Sequence, residues 1–140
     1  MQHNRHLLAA AWLATAREDL RVATLLMDES PSSAAFHAQQ AAEKAVKAAC
    51  VAAIDDAQRT HVINFLLDEL AANGTAIDGA VRDAARTLER YYAPTRYPDA
   101  LGGIEPSRIY TASDARSAID LAHTVLAFAM RVIDSSTFEA

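Results

Sequence analysis

The 140-residue chain, 51% hydrophobic with four glycines and four prolines, fits one domain, expected to span residues 1–140 around a core of its own. Its formal net charge of -5 and pI near 5.4 exclude the broad basic surface that unspecific duplex DNA binding by counterion release requires. A single cysteine, Cys50, excludes an internal disulfide and a cysteine zinc cluster, and no uncharged apolar stretch is long enough to span a bilayer.

Abundant alanine and few β-branched or aromatic residues predict an all-α chain whose helices approach closely. The first amphipathic helix is expected from Leu7 to Met27, with Leu8, Trp12, Leu20, Ala23, Leu26 and Met27 at mostly helical spacings and Arg17, Asp19 and Arg21 on another side. The preceding Met1–His6 segment is expected to fray, which leaves His3 and His6 outside any site. Charges at Arg17, Glu18 and Asp19 interrupt the apolar run, so no signal peptide is read here and the cytoplasm is the expected location.

Pro31 and the serines at 30, 32 and 33 predict a turn, with a serine cap near Ser32 or Ser33 for the second helix, which reads Ala34 to Ala53 without a breaker. Wrapped at about 100° per residue, Ala38, Ala42, Ala45, Ala49 and Ala52 form a smooth stripe for close helix approach. His37, Gln40, Lys44 and Lys47 gather on a polar face beside Gln39 and Glu43. Cys50, between Ala49 and Val51, reads as a packed core thiol.

Thr60 is a candidate cap for a short third helix whose buried stripe takes Val62, Ile63, Phe65, Leu66, Leu67 and Leu70, and Asn73-Gly74 supplies its left-handed end. A fourth helix is expected from about Asp78 to Tyr91, with Val81, Ala84, Ala85 and Leu88 inward and Arg82, Asp83, Arg86, Glu89 and Arg90 outward, ended by Pro94. Residues 93–113 hold three of the four prolines and read as a long loop, a place where function often sits. The last helix starts from a cap at Thr111 or Ser113 and turns Ala115, Ala118, Ile119, Ala122, Val125, Leu126, Ala129 and Ile133 inward.

Two patches go beyond generic helix: Phe36 to Ala48 (FHAQQAAEKAVKA) and Tyr91 to Asp99 (YYAPTRYPD). With Thr60-His61 and its leucine-rich sequel between them, and with Asp19-Leu20 and Ala23-x-Leu25-Leu26 ahead, they resemble the pattern of HEPN-domain proteins over nearly the whole chain. That resemblance implies an up-and-down bundle of four to five helices, usually a homodimer, often beside a minimal nucleotidyltransferase partner, with nucleotide or RNA as ligand. No cofactor is implied. Many members of the family are RNA-cleaving toxins of toxin-antitoxin pairs, with an arginine followed after four to six residues by a histidine in a metal-independent site.

The toxin motif is absent after Arg96, where Tyr97-Pro98-Asp99-Ala100-Leu101-Gly102-Gly103 contains no histidine. A literal match occurs instead at Arg116 and His123, with six residues between, on one side of the last helix. This pair is the catalytic candidate of the ribonuclease alternative.

The ligand-binding candidates are His37, Gln40, Lys44, Lys47, Arg96, Tyr97 and Asp99, because amide, ammonium and guanidinium groups suit phosphate and base acceptors. Each has a plainer role open to it. The helix-two face could simply be solvated, Gln39 and Glu43 could seal a helix pair through buried hydrogen bonds, and Arg96 or Tyr97 could staple the loop through Asp99 or Glu43. His61 reads as a capping or packing residue, and Asp55, Asp56 and His61 lack the spacing of a metal site. A third class of function is a pure interaction module with no ligand of its own.

Overall fold

The computed structural model describes the backbone of residues 2–137 and the side chains of residues 4–136. Among the described residues there is no strand: α1 (Gln2–Leu26), α2 (Pro31–Ile54), α3 (Ile63–Ala72), α4 (Gly79–Glu89), a short α5 (Pro106–Ile109) and α6 (Ala112–Thr137) form a helical bundle.

The middle of the bundle is α2. Its alanines 34, 35, 38, 41, 42, 45, 48 and 49 have no exposed surface, because side chains this small let α1 and α6 pack closely on either side. The large side chains come from the smaller helices. Ile63, Leu66, Leu67 and Leu70 of α3 and Leu88 of α4 fill the space the alanines leave. All the inward positions expected on the last helix are buried except Ile133, which packs half-buried at the edge.

Several boundaries differ from the sequence reading. α1 begins at Gln2, and the expected fraying at Arg5 and His6 is not seen: Arg5 Nε donates to the Val51 carbonyl at 3.0 Å and ties the start of α1 to α2. The side chain of His3 lies outside the described residues. α2 begins at Pro31 rather than at a serine cap, since proline at the first helical position gives up only an amide that has no helical partner. Thr60 Oγ1 accepts the Val62 amide, but α3 itself starts at Ile63.

The end of α3 follows the Asn73-Gly74 reading. Gly74 has φ +96°, with Thr75 N–H bonded to Leu70 O and Gly74 N–H to Ala71 O, the paired bonds of a glycine-closed helix end. α4 stops at Glu89, short of Tyr91. Phe65 and Leu8 are 53% and 52% exposed, although their spacing placed both on buried stripes. The stripes narrow there: α3 packs on α2 and α4 and buries Ile63, Leu66, Leu67 and Leu70 but not Phe65, and Leu8 lines a surface groove.

Residues 93–113 are not a plain loop. Pro98–Leu101 forms a 3-10 turn closed by Gly102 at φ +67°, and α5 follows. Thr111 and Asp114 then exchange side-chain to backbone hydrogen bonds, 2.9 and 3.2 Å, which satisfies free amides at the start of α6.

Candidate functional site

The polar face of α2 is held by two carboxylates. Asp19 reaches across from α1, its side chain 13% exposed, with Oδ1 3.0 Å from His37 Nδ1 and Oδ2 2.6 Å from Lys44 Nζ. Glu43, with a side chain 3% exposed, places Oε1 3.1 Å from His61 Nδ1 and Oε2 3.1 Å from Lys47 Nζ. Gln39 Nε2 donates to Glu43 Oε1 at 3.2 Å, and Gln40 Nε2 donates to Gln39 Oε1 at 2.7 Å. No buried polar side-chain atom among the described residues lacks a partner. A carboxylate only accepts, so the ring nitrogen facing it carries the proton, and Nε2 remains for another partner in both histidines.

Arg96 is set differently. After α4 the chain turns, with the amides of Arg96 and Tyr97 both bonded to Ala93 O at 3.0 Å and the buried Thr95 hydroxyl donating to Tyr91 O. This turn folds the Arg96 side chain back, so that Nε donates to Tyr92 O at 2.9 Å and Nη1 to Tyr97 Oη at 3.2 Å. The guanidinium carbon lies 4.3 Å from the Phe36 ring centre, 4.5 Å from Tyr92 and 4.7 Å from Tyr97.

Three ring faces stabilise the cation without neutralising it. Among the described residues no carboxylate forms an ion pair with Arg96. A planar, half-buried cation held in one orientation with no counter-anion is suited to accept an oxyanion at its open edge.

The two halves meet through aromatic contacts. Tyr92 stacks on His61 with ring centres 4.1 Å apart and lies 6.2 Å from Phe36, which in turn packs edge-on against His37 at 5.5 Å. His37 and Arg96 therefore both pack against Phe36. Tyr97 joins them as a half-exposed ring over the guanidinium.

Lys44 and Lys47 lie on the same face but are each paired to a carboxylate, and Gln40 is tied to Gln39. Asp99 is exposed on the 3-10 turn, and among the described residues no hydrogen bond or ion pair joins it or Glu43 to Arg96, so Arg96 does not take the plainer role of a staple to either carboxylate. Arg116 and His123 are exposed on α6.

Sequence reasoning gave Phe36 and Tyr92 no role of their own, set Asp19 only on the polar side of α1, and read His61 as a capping or packing residue, the second of which its stacking on Tyr92 matches. Asp19 and Tyr92 lay inside the motifs already singled out, but only the packing of α1 and of the turn after α4 against α2 brings them to the site.

A family model described as HEPN domain matches residues 9–133. Among solved structures, the chain is 38% identical to TT1696 from Thermus thermophilus, with a TM-score of 0.80 over 89% of this chain and 97% of that one. It is 30% identical to ST0689, an archaeal HEPN homologue, with a TM-score of 0.75 over 89% of this chain and 97% of that one. No curated protein matches the chain.

Proposed function

Because the chain belongs to the HEPN domain family, we propose that it binds a nucleotide, free or at an RNA end, with Arg96 as the phosphate-binding residue and a minimal nucleotidyltransferase as its protein partner. The observation that carries the ligand reading is the Arg96 guanidinium, stacked among Phe36, Tyr92 and Tyr97 with no carboxylate pairing it. A phosphate arriving there forms charge-assisted hydrogen bonds with a donor already oriented, so little side-chain freedom is lost on binding. His37 supplies a second donor or acceptor beside the same ring, and Tyr97 offers an exposed face for a base. The partner rests on family resemblance, with the homodimer of this chain as the unit it would meet.

Calorimetry with AMP and with a short 5′-phosphorylated RNA tests the ligand. Binding by the wild-type chain and about a tenfold loss in Arg96→Ala are expected, in line with a charged hydrogen bond. Affinity unchanged in Arg96→Ala would overturn the reading. Co-purification of the chain with the product of an adjacent nucleotidyltransferase gene tests the partner.

The ribonuclease alternative rests on Arg116 and His123, which lie two turns apart and both exposed on α6. A catalytic histidine is often oriented by a second polar group, and among the described residues the histidines paired to a carboxylate are His37 and His61.

A further inference from the structure

The aromatic chain at Arg96 does not end at Tyr92. His61, stacked on Tyr92, also forms a wall of a groove of about 520 Å³ whose apolar side is Leu8, Trp12 and Val51, a volume within the range of small-molecule sites. Lys47 lies over the Trp12 ring at 5.5 Å while paired to Glu43. Asp55, Asp56 and Arg59 line the groove as well. The groove and the guanidinium are thus connected by two successive ring contacts, Arg96 to Tyr92 at 4.5 Å and Tyr92 to His61 at 4.1 Å.

We infer that this groove is the base subsite of the proposed nucleotide site: the ligand's phosphate lies at Arg96 and its heteroaromatic base enters between His61 and Trp12. The inference rests on the reading of Arg96 as a phosphate residue. The direction follows from the ring contacts: Arg96 lies on the Tyr92 side of His61 and draws the phosphate there, while Asp55, Asp56 and Arg59, which also line the groove, offer acceptors and a donor to a base edge. The apolar wall of Leu8, Trp12 and Val51 gives a planar ring a surface to stack on, a contact that tolerates any base because every base has a π-face.

The pocket was not evident from sequence because its walls come from three places: the first turns of α1, the last turns of α2 and the segment before α3. Two of the wall residues have a structural duty as well. Trp12 and Val51 pack with Ala9 and Ala52 in a small cluster of their own, apart from the main core.

Trp12 is the single tryptophan of the chain, so tryptophan emission, excited where tyrosine does not absorb, reports this groove. The intact chain is titrated with AMP, GMP, ribose 5-phosphate and inorganic pyrophosphate, followed by fluorescence and by calorimetry in parallel. Saturable quenching by AMP and GMP, and none by ribose 5-phosphate, is the expected result. In Trp12→Ala, nucleotide affinity should fall about tenfold, the scale of one base stacked on an aromatic ring, with ribose 5-phosphate affinity unchanged.

Leu8→Ser, at an exposed position, guards against a Trp12 variant that does not fold and should also weaken AMP but not ribose 5-phosphate. Nucleotide binding that needs Arg96 yet leaves Trp12 fluorescence and the Leu8→Ser affinity unmoved overturns the base subsite and leaves the phosphate site standing. Quenching by ribose 5-phosphate as strong as by AMP also overturns it. If none of the four compounds binds, both readings fall together.

Discussion

His61 Nδ1 lies 3.1 Å from Glu43 Oε1, so an imidazole that is 55% exposed is anchored to a carboxylate that is 3% exposed. The same carboxylate accepts from Lys47, Gln39 and Gln40. Glu43 is thus the hub on which both the polar face of α2 and the segment ahead of α3 depend, while His61 is one replaceable spoke.

That asymmetry has a measurable form. Glu43→Ala leaves the largely buried Lys47 ammonium without its carboxylate and the Gln39 amide with only the longer bond to His61 O, and breaking a buried pair from one side costs about 3 kcal/mol. His61→Ala removes a half-exposed partner and should cost about 1 kcal/mol or less. Urea denaturation of the two variants checks this, and equal losses would show that Glu43 is not the hub.

Burial, with the charges of Glu69 and then Asp56 adding to it, pushes the Cys50 thiol from 9.0 up to about 12. The unfolded chain therefore releases this proton from about pH 9 while the folded chain keeps it, so the folded state binds more protons and stability falls as pH rises through 9 to 12. Between pH 8 and 10 the loss from this group is about 1.4 kcal/mol. Tyr91 and Tyr110, raised chiefly by burial, add a loss of the same sign from about pH 10 upward. Chemical denaturation at pH 8 and pH 10 should show the Cys50 loss in the wild type and a flatter profile in Cys50→Ala.

Ala45 has no exposed surface and stands in the stripe that lets the helices of the bundle close on α2. Ala45→Leu adds three carbons where there is no room, and overpacking of this kind costs about 1–3 kcal/mol. Thermal denaturation should record a clear drop in melting temperature. A neutral result would mean that the helices sit further from α2 than the burial of its alanines implies.

The alanine stripe, the inward residues of α4 and α6 and the glycine end of α3 were legible in the sequence, because period and local backbone chemistry decide them. Register on the rims was not. Leu8 and Phe65 carry the right spacing, but whether a neighbour covers them depends on where the next helix ends. The site was legible in part: Arg96 stood out between two prolines, yet its counterpart Phe36 lies on α2, and Asp19 pairs with His37 and Lys44 across separations of 18 and 25 residues. Pairings of that range follow from how the helices pack, which the periodicity of one segment does not encode.

For Arg116 and His123 the expected outcome is negative. Both face solvent on α6, and incubation of the purified chain with end-labelled RNA, without metal, should leave the RNA uncut. Cleavage that disappears in His123→Ala would instead install the ribonuclease alternative.

Arg96→Lys separates charge from shape. Lysine keeps the positive charge but has neither the Nε–H that holds Tyr92 O nor the flat surface that lies 4.3 to 4.7 Å from three rings. Freed of these contacts, the ammonium can swing into solvent, and the phosphate donor is no longer fixed in place. If orientation is what Arg96 contributes, Arg96→Lys should lose most of the affinity that Arg96→Ala loses, on the order of tenfold. It should also leave stability within about 1 kcal/mol of the wild type, since the residue is only half-buried. Retention of near wild-type affinity in Arg96→Lys, measured by calorimetry with AMP, would mean that charge alone attracts the phosphate and that the ring cage is there to hold the loop.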